Sequence, residues 1–365
     1  MSEIAKDSPQ ALRTAAAEDW QQFCEKLKSA GDILLRPEAP VSDIDRAEGL
    51  RYLARITRLS LQLCFEHADP DFPLMLHAWN ETTKAGSDNP DNLYLSATVA
   101  GNREYRLRGQ RGTAPGLRFS TYANRYSTGT GMVQTGSLRA KDMTFGADGT
   151  FEVVVSREPR PGNWLALVDD SRLLTVRQTF TDRSRETAAA VSIEQIGGPA
   201  TPKLLTVKGA RQSLKGALSY LNHVVVGHAD KVAWFQAQPN VLHLQEQTPF
   251  REEGGDSRTQ YMQGYWSLGA DQMLVLDTPV PECDAWNFQL NNYWMESLDY
   301  RYYPICVNSR GAKYNTDGSV TLVVGAQDPG YGNFLHTAGH LSGMMMLRWT
   351  GAQTHPVPSM RVVKV

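Results

Sequence analysis

The run HTAGH, with His336 and His340 four residues apart, is the densest set of residues in this chain that could do chemistry. On a helical turn that spacing puts both rings on one face, as in a metal pair. The Glu that follows the first His of the H-E-x-x-H zinc motif is missing, no third ligand stands out, and Gly339 favours a loop. No metal is expected. An imidazole that titrates near neutral pH suits general acid or base work, and the alternative is a ring bonded to its own loop backbone. A second set, DNPDNLY, supplies Asp91 and Tyr94. Asx turns account for such Asp and Asn residues, but a carboxylate with Tyr94 could also line a pocket at a strand end.

The third set is WNFQLNNYWMESLDYRYY, residues 286–303. In strand register Trp286, Phe288 and Leu290 face one way, and Asn287, Gln289 and Asn291 the other. Trp294, Asp299 and Tyr300 follow. Aromatic rings among amides and carboxylates suit a pocket for a rigid, mostly apolar small molecule, and equally a subunit interface. Asp299 joins the histidines, Asp91 and Tyr94 as a candidate catalytic residue, while Asn287, Asn291, Trp294 and Tyr300 are candidate substrate contacts. There is no G-x-G-x-x-G after a strand, no P-loop and no G-x-S-x-G elbow, so no cofactor is expected and an α/β-hydrolase is not indicated. Paired carboxylates for glycoside chemistry stay open, because their separation is spatial.

The elements that must position these residues change character along the chain. Residues 9–30 read as a helix capped by Ser8, and a second helix starts at the cap Ser42 with Asp45 three residues on. A short helix is expected at 74–84. Strand period takes over after GSDNPDN, with turn residues every 8–12 positions or so, the pattern of a sandwich or barrel. A connector helix follows, capped by Thr201, with His228 on its apolar stripe as a satisfied core histidine, and a shorter helix around Trp234. A second β block runs from about Thr259 onward. This gives a helical region 1–86, a β module 87–198, a connector 199–256 and a β module 257–365.

The two β blocks are related. DGTFEVVVSREPRPGNWL from Asp148 matches DGSVTLVVGAQDPGYGNFL from Asp317, an offset of 169 (317 − 148). The offset is 170 at Asn163 and Asn333 (333 − 163), and 171 at Arg177 and Arg348 (348 − 177). So small a drift across a block implies duplication. The fold class is α+β: helical N-terminal segments and two related antiparallel β-sandwich-like modules joined by a helical segment.

Composition narrows the partners. The chain has 365 residues, 21% of them charged, and a net charge of −2, which leaves no footprint for nucleic acid or a membrane surface. The arginines at 103, 106, 108, 111, 118 and 125 are expected on both faces of strands, in ion pairs. Four cysteines without C-x-x-C spacing are not a disulfide framework, and MSEIAKDSPQ lacks the apolar region of a secretory signal. The expected compartment is the cytoplasm, and the aromatic–amide run at 286–303 leaves a homo-oligomer open.

The C-terminal run, with Asp317, Gly318, Asp328, Pro329, Gly330, Asn333, Leu335, Thr337, Gly339, His340, Gly343 and Arg348, resembles domain of unknown function 1214. The upstream DNPDNLY, PGNWL and VRQTFTD runs resemble the earlier part of its longer members, so the likeness covers the chain from about residue 80 onward. Phe334 stands where the family has Trp, His336 where it has an acidic residue, and Arg183 and Ser184 follow Asp182 where members carry DW-x-x-E. The resemblance implies a β-sandwich fold and bacterial catabolic gene neighbourhoods, with no agreed activity; Asn333 and Arg348, two of the matched residues, are further candidate substrate contacts. The function expected from all this is a bacterial cytoplasmic enzyme acting on a mostly apolar small molecule (steroid, terpenoid or aromatic catabolite). Its chemistry would be cofactor-free acid–base work such as hydration or dehydration, by a lyase or hydrolase. The alternatives are a non-catalytic small-molecule binder or oligomeric scaffold, and a carbohydrate-active β-sandwich.

Overall fold

A computed structural model describes residues 8–125 and 131–364. Residues 1–7, at the start of the expected helical region, lie outside the described residues. Helix α1 (Pro9–Ala30) is capped by Ser8, whose hydroxyl accepts from Ala11 N at 3.2 Å. Helix α2 (Asp43–Leu61) is capped by Ser42, which accepts from Asp45 N at 3.2 Å. The helix expected at 74–84 is not there. Asn80 instead forms an Asx turn, accepting from Thr82 N at 2.8 Å and donating to His77 O at 2.9 Å. Local side-chain bonds of this kind offer the backbone a competitor to helix. Leu76 then exchanges backbone bonds with Ser96 at 2.8 and 2.9 Å, as a strand-like bridge.

The first module contains β1 (Asn92–Thr98), β2 (Tyr105–Gln110), β3 (Gly116–Arg125), β4 (Gly131–Arg139), β5 (Thr150–Ser156), β6 (Trp164–Ala166), β7 (Ser171–Thr179) and β8 (Ala190–Gln195). The connector is a single helix α3 (Val207–Gln236), capped by Thr206 rather than Thr201, followed by β9 (Val241–Leu244) and the short α4 (Thr248–Glu252). Trp234 lies in α3, so no separate second helix forms around it.

The second module repeats the first, strand for strand: β10 (Thr259–Ser267), β11 (Gln272–Thr278), β12 (Ala285–Leu290), β13 (Cys306–Asn308), β14 (Val320–Gly325), β15 (Phe334–His336), β16 (Ser342–Thr350) and β17 (Ser359–Lys364). Each module is two four-stranded sheets. Their orders are β1-β7-β3-β4 and β6-β5-β2-β8 in the first, and β10-β16-β12-β13 and β15-β14-β11-β17 in the second. Strand by strand these are the same arrangement. The pairing departs from pure antiparallel at β5–β6 and β14–β15, which run parallel.

The duplicated turn explains why its residues recur. Asp148 Oδ1 accepts from Thr150 N and Oγ1 at 3.0 and 2.7 Å, and Asp317 Oδ1 accepts from Ser319 N and Oγ at the same two distances. Gly149 and Gly318 follow at φ 84° and 81°, a conformation glycine adopts without steric cost.

Inner faces meet in two apolar cores, one around Leu107, Phe119 and Val153, the other around Trp266, Trp286 and Trp349. Each large side chain fully buried there is worth about 2–3 kcal/mol. The outer face of β10-β16-β12-β13 is buried as well. Helices α2 and α3 pack on Tyr265, Tyr293, Trp294 and Met344. Gly49 sits inside α2, where glycine costs about 1 kcal/mol against alanine. A Cβ there would lie 2.6 Å from both Leu34 Cδ2 and Trp294 Cζ2. Gly49→Ala is therefore expected to lower stability by about 1–3 kcal/mol despite its better helix propensity. Chemical denaturation checks this, and a stabilised variant would show that the helix can shift.

The arginine-rich strands behave as ion pairs and loop ties. Arg106 and Arg108 each meet Glu152 and Glu194, Arg103 meets Asp71, and Arg125 meets Asp170. Arg111 donates to Ala114 O at 2.6 Å.

Candidate functional site

The histidine loop reaches α2. Ala338 and Gly339 have φ of 50° and 89°, and this tight turn buries the His340 side chain to 3% exposure. Nδ1 lies 3.0 Å from Asp45 Oδ1 and Nε2 lies 3.2 Å from Glu48 Oε2. Burial pulls the imidazole down, but the bonds to Asp45 and Glu48 outweigh it and raise its pKa to about 9. The ring is thus a cation at neutral pH, clamped between two carboxylates. Glu48 also accepts from Asn292 Nδ2 at 2.7 Å, and Asn292 Nδ2 reaches Glu296, which pairs with Arg55 at 2.7 Å. With both nitrogens committed, His340 ties a helix to a sheet.

His336 is elsewhere. Its Nδ1 accepts from Ala338 N at 2.8 Å, and its ring stacks on Tyr303 with centroids 5.0 Å apart. Asp299 chelates Arg301 at 2.9 and 2.7 Å, and this ion pair holds its carboxyl below the usual range. Trp294 donates to Asp45 O at 2.9 Å and stacks on Tyr52. Asn333 donates to Lys313 O and Thr321 O and accepts from Lys313 N. Asn163 makes the equivalent three bonds in the first module, to Thr144 and Glu152. Both amides are strand staples. His228, neutral with its pKa lowered by burial to about 3, bonds Tyr52 Oη at 3.1 Å, a satisfied core histidine.

The other candidates come together where the segment 84–91 crosses the outer face of β12 and β16. Arg348 Nη1 donates to Gln289 Oε1 and, at 3.4 Å, to Asn287 Oδ1, while Nη2 donates to Ser87 O, all at buried atoms. Gln289 Nε2 donates to Asn291 Oδ1 at 2.6 Å and to Asp88 O at 2.9 Å. Asp91 accepts from Asn287 Nδ2 at 3.1 Å and from Asn308 Nδ2 at 3.0 Å. A guanidinium, amides and a carboxyl thus form one chain of hydrogen bonds. Burial pushes the Asp91 carboxyl up, and does the same to Asp88. Burial also pulls Lys84 down. Its Nζ donates to Ser297 O and Leu298 O at 2.7 and 2.9 Å and sits 4.7 Å above the Tyr300 ring. Arg183 bridges the modules here, over the rings of Phe180 and Tyr300 and bonded to the carbonyls of Pro90 and Asn92.

The sequence points to Asp91, Asn287, Asn291, Tyr300 and Arg348 in this seam, and to Asp88 as part of the DNPDNLY run, but not to Lys84, Arg183, Cys306 and Asn308. Cys306 is a thiol raised by burial, 3.7 Å from Asn287 Nδ2. Tyr94 lies in the first module, opposite Arg177 on β7, with that guanidinium 5.5 Å from its ring centre. His340, Asp299 and Tyr94 share no hydrogen bond. Among the described residues no group of three or more His, Cys, Asp or Glu is arranged to hold a metal. No helix among them is long and apolar enough to cross a membrane. Two surface hollows, of about 630 and 660 Å³, lie away from the seam, one at Asp32 and Arg36, the other at Phe145 and Asn163.

The chain is similar to a crystal structure of an uncharacterised protein from Burkholderia cenocepacia. The two are 44% identical over 97% of this chain and 98% of that one, with a TM-score of 0.92. It also aligns with the VPA0106 protein from Vibrio parahaemolyticus at 12% identity, over 93% of this chain and 100% of that one, with a TM-score of 0.49. No match was found among curated proteins. A family model described as protein of unknown function (DUF1214) matches residues 95–180 and 260–354, one stretch in each module. The chain belongs to this DUF1214 family, and its duplicated architecture carries the family pattern twice.

Proposed function

We propose that the protein is a bacterial cytoplasmic enzyme acting on a mostly apolar small molecule, of steroid, terpenoid or aromatic catabolite class. The chemistry is cofactor-free acid–base work such as hydration or dehydration, at the seam of segment 84–91 with β12 and β16. One observation carries this reading. Asp91 is a half-buried carboxyl with a raised pKa, cradled by Asn287 and Asn308, in a cluster where Asp88 is raised and Lys84 lowered. Groups perturbed together in opposite directions are what acid–base sites need. The acid is Asp91 rather than His340, whose protonated ring is held between two carboxylates. The rings of Phe180 and Tyr300 beside Arg183 supply an apolar wall. All four cysteines are free, which suits a reducing compartment.

A second reading, non-catalytic binding, is favoured by Tyr302 and Tyr303, exposed at 75% and 43%, the latter stacked on His336. Against the oligomeric version, the aromatic–amide face 286–294 is covered by the chain's own helices and segment 84–91. The test is mass spectrometry of ligands retained by the purified protein, then a turnover screen of a metabolite pool. Asp91→Asn keeps the shape and removes the acid, so turnover is expected to fall about 100-fold or more. Unchanged turnover in that variant would remove Asp91 from the mechanism, and retention without turnover would favour the binder.

A further inference from the structure

The duplication places two arginines in equivalent positions, and their surroundings differ. Arg348 is opposite Tyr261 on the neighbouring strand, and Arg177 is opposite Tyr94. Each guanidinium lies near its tyrosine ring, at 5.9 and 5.5 Å. Segment 84–91 seals Arg348, whose two terminal nitrogens both donate to buried oxygens. Arg177 is covered instead by residues 254–256.

Its Nη2 donates to Gly254 O at 3.1 Å and its Nη1 lies 3.5 Å from Asp256, a carboxylate already bonded to Arg118. Two guanidiniums therefore share one carboxylate. Arg177 Nε is shut off from solvent without an acceptor. A buried donor left unpaired costs about 1–3 kcal/mol, more on a charged group, so its persistence asks for a partner.

The groups around that nitrogen say which partner. Asn92 is two residues from Tyr94 on β1, hence on the same face and diagonal to Arg177. Its Nδ2 donates to Tyr94 Oη at 2.8 Å, which leaves the phenol O–H free to donate. Its Oδ1 is buried without a donor. The same sheet face thus carries two donors without acceptors, Arg177 Nε–H and Tyr94 O–H, and one acceptor without a donor, Asn92 Oδ1, with two guanidiniums to one carboxylate behind them.

We infer that Asn92, Tyr94 and Arg177 form a binding site for a small oxyacid anion that also carries a hydroxyl, such as a 2-hydroxycarboxylate or hydrogen phosphate. The anionic oxygen accepts from Arg177 and Tyr94, and the hydroxyl donates to Asn92. The inference stands independently of the acid–base reading of Asp91.

Calorimetric titration of the full chain at pH 7, at ionic strength matched with sodium chloride, tests it with three probes: sodium lactate, inorganic phosphate and sodium acetate. Binding of lactate alone or phosphate alone identifies which source of the shared chemistry the site takes. Acetate, lacking the hydroxyl, is expected to bind about fivefold more weakly than the better of the two, the worth of one neutral hydrogen bond. Asn92→Leu should bring that probe down to acetate's level. Tyr94→Phe keeps the ring under the guanidinium and should weaken all binding about fivefold, and Arg177→Met roughly thirtyfold or more. If Arg177→Met does not fold, the two milder variants decide. Absence of binding by the wild-type chain, equal affinity for acetate and the hydroxylated probes, or affinities unchanged in Tyr94→Phe and Asn92→Leu would each overturn the site.

Discussion

His340→Gln is expected to lower stability by about 3 kcal/mol at pH 7, and by much less near pH 10. The ring's pKa is raised from 6.5 to about 9 in the folded chain, because bonds to Asp45 and Glu48 outweigh the burial that opposes charge. Every tenfold gain in the ring's proton affinity on folding is worth about 1.4 kcal/mol, which sets the size of the effect. A raised pKa means that folding favours the protonated ring. The contribution is therefore complete below about pH 6.5 and is lost as pH rises through about 9. Urea denaturation of wild type and variant at several pH values checks both parts. A gap that stays constant from pH 7 to pH 10 would mean that the ring is not the cation of this clamp. The geometry gives the clamp a purpose, since it joins α2 to the loop before β16 and leads through Asn292 and Glu296 to Arg55.

The sequence made the strands legible and the clamp invisible, for one physical reason. Strand period and turn chemistry are local, so Asp148-Gly149 and Asp317-Gly318, or the alternation of Trp286 and Phe288 with Asn287 and Gln289, can be read from neighbours alone. The partners of His340 are not local: Asp45 lies 295 residues away, where its own surroundings mark it as part of a helix start. The amide face of β12 is legible as a face, but what covers it is a segment some 200 residues earlier. The helix expected at 74–84 failed because Asn80 closes a turn on its own backbone, a competition that apolar spacing does not register. Asn333 shows the reverse case. It looked like a ligand contact because the family pattern keeps it, and its twin Asn163 shows that the pattern is architectural.

Arg348→Met is expected to cost about 3–5 kcal/mol, and Arg177→Met, its equivalent in the other module, clearly less, about 1–2 kcal/mol. The strands, the register and the opposed tyrosine are the same, so the difference isolates what covers each guanidinium. Removing Arg348 strands the oxygens of Gln289, Asn287 and Ser87, each in a buried layer, and each unpaired acceptor costs about 1–3 kcal/mol. It also frees the segment 84–91, on which Asp88 and Asp91 are carried. Removing Arg177 strands only Gly254 O, while Asp256 keeps Arg118. Guanidinium denaturation midpoints of the two variants, at unchanged m-values, measure the comparison directly. Equal losses would mean that segment 84–91 is not held by Arg348, and the seam would lose the rigid floor on which Asp91 could act as an acid.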